Sequence, residues 1–447
     1  MKFPIKNIQF ITAFLALAAI YAACTKGPDI KSYTYPAPEP KAMFPDSGYA
    51  GFADVTINGS QFGDYKNAVK VFFNGIPADT ILSCEDGKIV ARVPANAVSG
   101  KVSLQVWTNT IDSIGDFMVV PAPIVSSANK DIGLPGETVE VSGKGFGTDM
   151  TNVLVNFNGT TGTIAEITDT LLKVVLPQGF SSGAIVVYVN KYPVIGPLFR
   201  AVATLPSPVY WLGFENNLAD NMGGTAATFT YSATDGTAQP IAYADGIKGK
   251  AVKLSGTGNR ATLNNQNSNN QYIACPPQIS KYPEITVTAW VNWGRSDTTI
   301  WVQEPIFDFG QARGLRMALM TRMGTAAGPN MVGRLIFENI NEFTGNVPFD
   351  AKASKALTKF KWQHVAMTIS TANKIVKVYL DGEMIGSIVL TGTASPTLFN
   401  HNKVYIGAPT NGVRNEPAFG GMIDEFQIYN QALNADQVFA DYYRYRP

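Results

Sequence analysis

The sequence is poor in several residue types on which enzymes and nucleic-acid-binding proteins rely. Its 447 residues include only two histidines and three cysteines, and the formal net charge is +1. With so little histidine, a Ser-His-Asp active site is a poor fit. The absence of H-E-x-x-H and of paired C-x-x-C motifs argues against zinc. Balanced charge without a basic patch argues against nucleic acid as a partner.

Long segments with a 3.6-residue apolar period are also rare. Glycine, threonine, asparagine, tyrosine and valine recur instead in short alternating segments separated by turn residues. This pattern is typical of an all-β chain, and the length suits two to four domains.

The first residues have the pattern of a targeting segment. Lys2 and Lys6 precede an apolar run, Ile8 to Ile20, that is too short to span a bilayer comfortably, and small residues stand directly before Cys24. This resembles the lipobox of bacterial lipoproteins, which implies a signal peptide at 1–23, lipidation of Cys24 and an outer-membrane lipid anchor. The alternative is an ordinary signal peptide with an incidental cysteine. Residues 24–39 are polar and proline-rich, which predicts a tether.

The two other cysteines, Cys84 and Cys275, are far apart in the sequence. Two cysteines in separate regions do not make a disulfide framework. We therefore predict that both are buried free thiols.

An internal repeat follows the tether. The segment "VTINGSQFG" from Val55 is matched by "VEVSGKGFG" from Val139, and "VFFNG" from Val71 is matched by "VNFNG" from Val155. The matches are about 84 residues apart, the size of one small domain. The repeat predicts two β-sandwiches of immunoglobulin size, at 40–121 and 122–206.

Both copies resemble the IPT/TIG family of immunoglobulin-like domains. The resemblance is carried by G-x-x-F-G elements ending at Gly63 and Gly147 and by the "FNG" turns ending at Gly75 and Gly159. It implies the fold, and it implies roles as spacers or protein contacts rather than a specific function.

Residues 207–447 have the size of one large β-sandwich. They contain "ITVTAWVN", "WQHVAMTI", "VYLDGEMIGS", "VYIGA" and "GGMIDEFQIYNQAL" in that order, and they resemble the laminin-G-like, concanavalin-A-like lectin domains. The predicted fold class is therefore all-β, with two immunoglobulin-like sandwiches followed by a concanavalin-A-like jelly-roll sandwich. Asp381-Gly382 predicts a hairpin turn, and Asn434 with Gln437 predicts a capping box on a short helix.

Catalytic carboxylates are not evident. Glycan hydrolases of the wider concanavalin-like fold carry an E-x-D-x-(x)-E run whose alternate positions face one cleft. The nearest candidate in this domain, Glu304 to Asp308, has the wrong spacing and lacks a second glutamate. We therefore expect a protein that is not an enzyme, with a glycan hydrolase as the weakest alternative.

Asp424 and Glu425 are adjacent in an apolar and aromatic run. Strand alternation predicts that they point to opposite faces and cannot converge, with Asp424 on the apolar face of Phe426 and Ile428. A bare charge there is costly, so Asp424 must be hydrogen-bonded, paired or bound to a cation. In some jelly rolls of this type a calcium ion ties the first strand region to the last, and Asp220 would be the second ligand here. No other cofactor is required.

Sugar rings stack on aromatic faces, and their hydroxyls bond to polar side chains. Loops of the C-terminal domain hold residues of both kinds. The predicted ligand-binding residues are Trp293, Trp301, Tyr272, Arg316, Asn341 and Arg414.

This layout is similar to that of the surface glycan-binding lipoproteins of Bacteroidetes polysaccharide-utilisation systems. The resemblance implies a cell-surface protein that captures glycan beside a TonB-dependent porin and its lipoprotein lid. The alternative is a surface adhesin or assembly protein that binds a protein partner.

Overall fold

The structure is a computed structural model, and it describes residues 35–232, 240–255, 270–294, 302–310, 316–323, 334–339, 355, 357–389, 402–410 and 418–447. The chain divides into two compact units, one ending at Ala122 and the other beginning at Pro123. Nearly all regular structure is strand, which confirms the all-β prediction.

The first unit contains one immunoglobulin-like sandwich. Its strands are β1 (Glu39–Phe44), β2 (Ser47–Gly48), β3 (Asp54–Ser60), β4 (Val69–Phe73), β5 (Ile76–Pro77), β6 (Thr80–Glu85), β7 (Lys88–Arg92), β8 (Gly100–Val106) and β9 (Asn109–Val119), with a 3₁₀ turn at Lys66–Ala68. The strand orders are β1-β3-β7-β6 and β2-β9-β8-β4-β5. Alternate residues such as Val55, Ile57 and Leu104 are buried between the sheets.

The second unit begins with the other copy. Its strands are β10 (Ile124–Ala128), β11 (Ile132–Gly133), β12 (Thr138–Lys144), β13 (Val153–Phe157), β14 (Thr160–Thr161), β15 (Thr163–Thr168), β16 (Leu171–Val175), β17 (Gly183–Val189) and β18 (Tyr192–Ala201), with a 3₁₀ turn at Met150–Asn152. The strand orders, β10-β12-β16-β15 and β11-β18-β17-β13-β14, repeat those of the first copy strand for strand. The sequence repeat is therefore a repeat of topology.

The C-terminal domain is a larger sandwich. Its elements are β19 (Tyr210–Leu212), β20 (Thr228–Ser232), β21 (Ala242–Asp245), β22 (Lys250–Ser255), β23 (Asn270–Cys275), β24 (Glu284–Trp293), β25 (Val302–Gly310), β26 (Arg316–Met323), β27 (Arg334–Asn339), β28 (Trp362–Ser370), β29 (Ile375–Leu380), β30 (Glu383–Val389), β31 (Lys403–Ile406), β32 (Gly420–Tyr429), helix α1 (Ala435–Tyr445) and a 3₁₀ turn at Pro277–Ser280. An eight-stranded sheet has the order β21-β22-β32-β24-β28-β29-β30, with β19 beside β32. A six-stranded sheet has the order β20-β23-β31-β25-β26-β27.

The main core lies between these two sheets. In β24 the inward positions alternate, so Val287, Ala289 and Val291 are buried on the core side. The six-stranded sheet contributes Ile273 and Phe307 to the same core. Each sheet therefore has one face in the core and one outer face.

Helix α1 covers the outer face of the eight-stranded sheet. Asn434 and Gln437 form the predicted capping box at its N-terminus. The ring of Tyr442 stacks on Trp290 with centroids 5.7 Å apart, and the carboxylate of Asp441 hydrogen-bonds to His364 at 3.2 Å. Helix α1 thus buries Trp290 and His364 on the outer face of the eight-stranded sheet.

The same helix joins the second immunoglobulin-like domain to the C-terminal domain. The backbone N–H and hydroxyl of Ser182 donate to Asp436 at 3.0 and 2.5 Å. The guanidinium of Arg200 lies 3.6 Å from the ring centroid of Phe439 and donates to the carbonyl of Gly382 at 3.0 Å. We call these contacts the junction.

Two further sequence predictions concern the cysteines and the Asp381-Gly382 turn. Cys84 and Cys275 are both free, the first partly buried and the second buried, and burial raises the pKa of the Cys275 thiol to about 12. Asp381 and Gly382 have φ 51° and 75° between β29 and β30, as the predicted hairpin turn requires. Among the residues described, no helix is long and apolar enough to cross a bilayer.

The junction gives a first prediction. Arg200→Ala leaves the Gly382 carbonyl without this donor and removes the cation–π contact with Phe439. We therefore expect the free energy of unfolding to fall by about 1–3 kcal/mol. Differential scanning calorimetry should then show the second immunoglobulin-like domain unfolding separately from the C-terminal domain. Lys173→Ala is the control, because its ion pair with Glu166 is on the surface and such pairs contribute at most about 1 kcal/mol. Equal effects of both variants would contradict a stabilising junction.

Candidate functional site

The last strand, β32, contains a bulge at Glu425. Asp424 is opposite Trp290 and Gln427 is opposite Thr288, so two residues of β32 face Ala289 alone. Glu425 has φ 48°, which breaks the alternation of the strand. The prediction that Asp424 and Glu425 point to opposite faces is therefore wrong.

Both carboxylates lie on the outer face of the eight-stranded sheet. Asp424 shares this face with Trp290, while Ile423, Phe426 and Ile428 are in the core on the other side. The prediction that Asp424 shares an apolar face with Phe426 and Ile428 is also wrong, because it assumed an unbroken strand. Asp424 and Glu425 are 0% and 2% exposed.

Asp424 is held by the main chain. It accepts hydrogen bonds from the backbone N–H groups of Lys248 at 3.2 Å and Glu425 at 2.8 Å, and from that of Ile247. Burial raises the pKa of Asp424 to about 7, and the neighbouring Glu425 adds to the increase while the amides oppose it. The group thus stabilises the 246–249 turn against the sheet.

Glu425 has side-chain partners instead. It accepts from the indole Nε1 of Trp211 at 3.0 Å, and the Nζ of Lys248 is 3.9 Å away. Burial raises the pKa of Glu425, and Lys248, Tyr445 and Trp211 counteract part of this. The two buried carboxylates thus hold β32, the 246–249 turn and Trp211 together.

Asp220 closes a turn after β19. Its carboxylate accepts from the backbone N–H groups of Trp211, Met222 and Gly224, each at 3.0 Å. It has none of these donors in common with Asp424. Calcium takes six to eight oxygens, and the described residues contain no cluster of three or more acidic, histidine or cysteine side chains suited to a metal. Separate backbone amides already satisfy each carboxylate, and the calcium ion between Asp220 and Asp424 stays a prediction.

The outer face of the six-stranded sheet carries a different group of residues. Tyr272 on β23 and Tyr405 on β31 alternate with core residues, so both rings point outward. The rings stack with centroids 4.3 Å apart and are both partly exposed. We call them the tyrosine pair. Burial, and then the neighbouring Tyr272, raise the pKa of Tyr405 to about 12, so its hydroxyl is protonated at neutral pH.

A buried acid fixes the chain beside this pair. Asp308 on β25 is directly opposite Tyr405, and it accepts from the backbone N–H and the hydroxyl of Thr410, both at 3.0 Å. The segment that follows β31 is thereby held against the sheet. Thr230 is opposite Tyr272 on the other side and adds a hydroxyl to the same face.

Trp293 is in the core and not on a loop. It is 0% exposed, and its Nε1 donates to Glu304 at 3.2 Å. The prediction that Trp293 stacks on a ligand is wrong, because β24 continues through this position and alternation directs the ring inward. Glu304 also accepts from the N–H of Gly420 at 3.1 Å, so it lies on the core side while Asp308 lies outside.

The other predicted residues are placed as follows. Tyr272 is on the face just described. Arg316 begins strand β26, and the surroundings of its side chain are not among the described features. The remaining four lie outside the described residues: Cys24, Trp301, Asn341 and Arg414.

Sequence reasoning missed Tyr405 as a partner of Tyr272. The signal was available in "KVYIGA", since Tyr405 is the outward position between the inward Val404 and Ile406. That the two tyrosines are neighbours was not available, because β23 and β31 are far apart in the sequence and only the sheet order brings them together.

Two immunoglobulin-like sandwiches and a lectin-like jelly roll define a modular all-β protein. Residues 38–117 and 123–199 match the model of the IPT/TIG domain, and residues 267–439 match that of the concanavalin A-like lectin/glucanases superfamily, in its laminin G form. The chain thus holds two IPT/TIG domains and a concanavalin A-like laminin G domain. A comparison with curated proteins found no match.

Several solved structures are similar to this chain. Domain 4 of AbnA, an extracellular GH43 arabinanase from Geobacillus stearothermophilus solved with arabinotriose, is 23% identical with a TM-score of 0.36, and the match covers 54% of this chain and 99% of that one. The botulinum neurotoxin serotype G binding domain is 15% identical with a TM-score of 0.36, covering 53% of this chain and 51% of its own. At these values the similarities carry no argument about function.

The buried Asp424 predicts a pH dependence of stability. The pKa of Asp424 is about 7 in the folded protein and ordinarily 3.8, so the fold favours the protonated carboxyl group. Its contribution to the free energy of unfolding is therefore fully present below pH 4 and is lost as the pH rises through 7. Each pKa unit corresponds to about 1.4 kcal/mol. Calorimetry should show the C-terminal domain losing stability between pH 4 and 7, and Asp424→Asn should reduce that loss. The same decline in Asp424→Asn as in the unmodified protein would contradict the assignment; Asp112→Asn, at an exposed position, serves as the control.

Proposed function

We propose that this chain binds polysaccharide or oligosaccharide without cleaving it, through the outer face of the six-stranded sheet in its C-terminal domain. The observation that carries the proposal is the partly exposed tyrosine pair on that face. The lectin-like fold supports it as well.

The outer face of one sheet of the domain is covered by protein, whereas the outer face of the other sheet has accessible aromatic surface. Helix α1 and the junction occupy the outer face of the eight-stranded sheet, where Trp290 and His364 are buried. The tyrosine pair leaves aromatic surface accessible on the opposite side of the sandwich. We therefore place the binding site for a ligand that stacks on aromatic rings on the outer face of the six-stranded sheet.

The chemistry of the tyrosine pair suits a sugar. An aromatic ring face accepts the C–H groups of a pyranose, and a protonated phenol hydroxyl can both donate to and accept from sugar hydroxyls. The hydroxyl of Thr230 adds a further partner beside Tyr272. Asp308 fixes the Thr410 segment, so the surface is formed before the ligand arrives.

The arrangement of acids supports binding rather than hydrolysis. Glycosidases use two carboxyl groups that face one cleft. Here Glu304 and Asp308 take partners on opposite sides of β25, and Asp424 and Glu425 are buried, the first against the 246–249 turn and the second against Trp211. Each of these four side chains is committed to a hydrogen bond within the fold.

The cellular setting in this proposal rests on the sequence alone. The lipobox-like segment ending at Cys24 and the tether at 24–39 support a lipid anchor in the outer membrane. The two IPT/TIG domains would act as spacers that extend the lectin-like domain from the cell surface. In this proposal the protein captures glycan for an uptake system, with a TonB-dependent porin and its lipoprotein lid as partners.

Loss of either ring of the tyrosine pair should weaken glycan binding. Tyr272→Ala and Tyr405→Ala should each raise Kd roughly five- to tenfold, since one aromatic contact contributes about 1 kcal/mol. Affinity electrophoresis against a polysaccharide panel, followed by calorimetry on the best glycan, measures this. Tyr405→Phe should retain most of the affinity because the ring remains.

Met384→Ala is the matched control, as this side chain is 53% exposed on the other sheet and should leave Kd unchanged. Thermal unfolding of each variant checks the fold. A protein that binds no glycan on the panel but retains a protein partner would overturn the proposal in favour of an adhesin.

A further inference from the structure

The first immunoglobulin-like domain exposes two aromatic side chains next to each other. Trp107 is 48% exposed and Tyr65 is 54% exposed, and their rings are nearly parallel, with an interplanar angle of 19° and centroids 5.7 Å apart. The ring of Tyr35 is 6.4 Å from that of Trp107. We call Tyr65 and Trp107 the aromatic platform. Large aromatic surface left in water usually marks a binding site.

The backbone holds Trp107 in a conformation that its side chain does not favour. It occupies the two-residue turn between β8 and β9 with φ 53°, where asparagine and glycine are preferred. Its N–H donates to the carbonyl of Ala68 at 2.9 Å, and its carbonyl accepts from Nε2 of Gln105 at 2.9 Å. The position of the indole is thus fixed by the fold.

The second copy shows what this turn requires. Asn190 occupies the corresponding position with φ 49°, and its N–H donates to the carbonyl of Asn152 at 2.8 Å, as that of Trp107 does to Ala68. Asparagine tolerates this conformation far better than tryptophan. The fold alone therefore gives no reason for a tryptophan here.

Tyr65 departs from the second copy in the same way. It stands at the N-cap of the 3₁₀ turn Lys66–Ala68 and makes no side-chain capping bond. The corresponding Asp149 caps its turn by accepting from the N–H of Thr151 at 2.9 Å. At both positions the first copy has an exposed aromatic residue where the second has a residue that stabilises the turn. Two such replacements that bring their rings together point to a ligand.

We propose that the aromatic platform of Tyr65 and Trp107 is a second carbohydrate contact, in the first immunoglobulin-like domain. This inference rests on the proposed function and assigns part of the glycan binding to a domain otherwise expected to be a spacer. Exposed Asp64, Asn67 and Thr108 adjoin the rings in sequence and can bond to sugar hydroxyls.

The charges around the platform favour a neutral sugar over a membrane surface. Burial, and then the negative charges of Asp86 and Asp64, raise the pKa of Tyr35, which is next to Trp107. Asp64 and Asp86 repel anionic lipid headgroups, and Lys66 next to Tyr65 is one cation against these two acids, not the basic cluster that such headgroups attract. A pyranose ring carries no such charge and stacks on the same aromatic surface.

The test uses the full chain and the glycan found on the polysaccharide panel. Trp107→Asn installs the residue that the second copy uses in this turn, so the domain should fold at least as well as before. We expect Trp107→Asn and Tyr65→Asp each to raise Kd at least threefold, and Trp107→Phe to retain most of the affinity. Leu82→Ala is the control, because Leu82 is 41% exposed in the same domain and should have no effect.

The outcomes separate this inference from the proposed function. Unchanged affinity in Trp107→Asn together with weakened binding in Tyr272→Ala would overturn the second contact and leave the first in place. No glycan binding by the unmodified chain would overturn both. Vesicles of phosphatidylcholine, with or without an added anionic phospholipid, test the membrane alternative. If the unmodified chain binds such vesicles, Trp107→Asn does not, and glycan affinity is unchanged, the platform contacts a membrane surface and the sugar contact is overturned.

Discussion

The packing of helix α1 on the eight-stranded sheet is the contact on which the arrangement of residues 123–447 depends. Tyr442 stacks on Trp290, and Asp441 bonds to His364, so polar and aromatic residues on the outer face of this sheet are buried. One turn earlier the same helix carries Phe439, whose ring lies 6.0 Å from that of Tyr442 and contacts the guanidinium of Arg200 from the second immunoglobulin-like domain. One amphipathic helix therefore closes a sheet and joins two domains, and it makes the two sheets of the sandwich unequal.

Burial also explains why the carboxylates of this domain are hydrogen-bonded within the fold. A carboxylate out of water needs donors, and the chain supplies them from its own turns. Backbone amides satisfy Asp220 and Asp424, an indole satisfies Glu425, and a threonine satisfies Asp308. These acids hold segments together, which is why a lectin-like sandwich with several buried carboxylates need not perform chemistry. In the proposed function, glycan recognition belongs to the aromatic side chains that remain partly exposed.

Much of this architecture could be predicted from local pattern. The alternation of apolar and polar residues predicted the strands, and the sequence repeat predicted two matching domains. Asn434 and Gln437 predicted the start of the helix. The candidate site could be predicted only in part: Tyr272 was found and Tyr405 was not. Trp293 and the pair Asp424–Glu425 were misplaced, because a bulge at Glu425 and the continuation of β24 change which way side chains point. The bulge has no reliable signal in a single sequence, since it depends on how neighbouring strands pair, whereas the inward direction of Trp293 follows from the alternation of Val287, Ala289 and Val291.

Strand content, the repeat and the family resemblances are evident in the amino-acid order, because they follow from short-range periodicity and turn residues. Tertiary structure alone decided which faces are covered and which residues meet. Tyr272 and Tyr405 became neighbours through sheet order, and Trp107 and Tyr65 through the approach of a hairpin turn to a 3₁₀ turn. Such neighbours are set by long-range pairing, and a periodicity that describes one strand cannot specify the strand beside it.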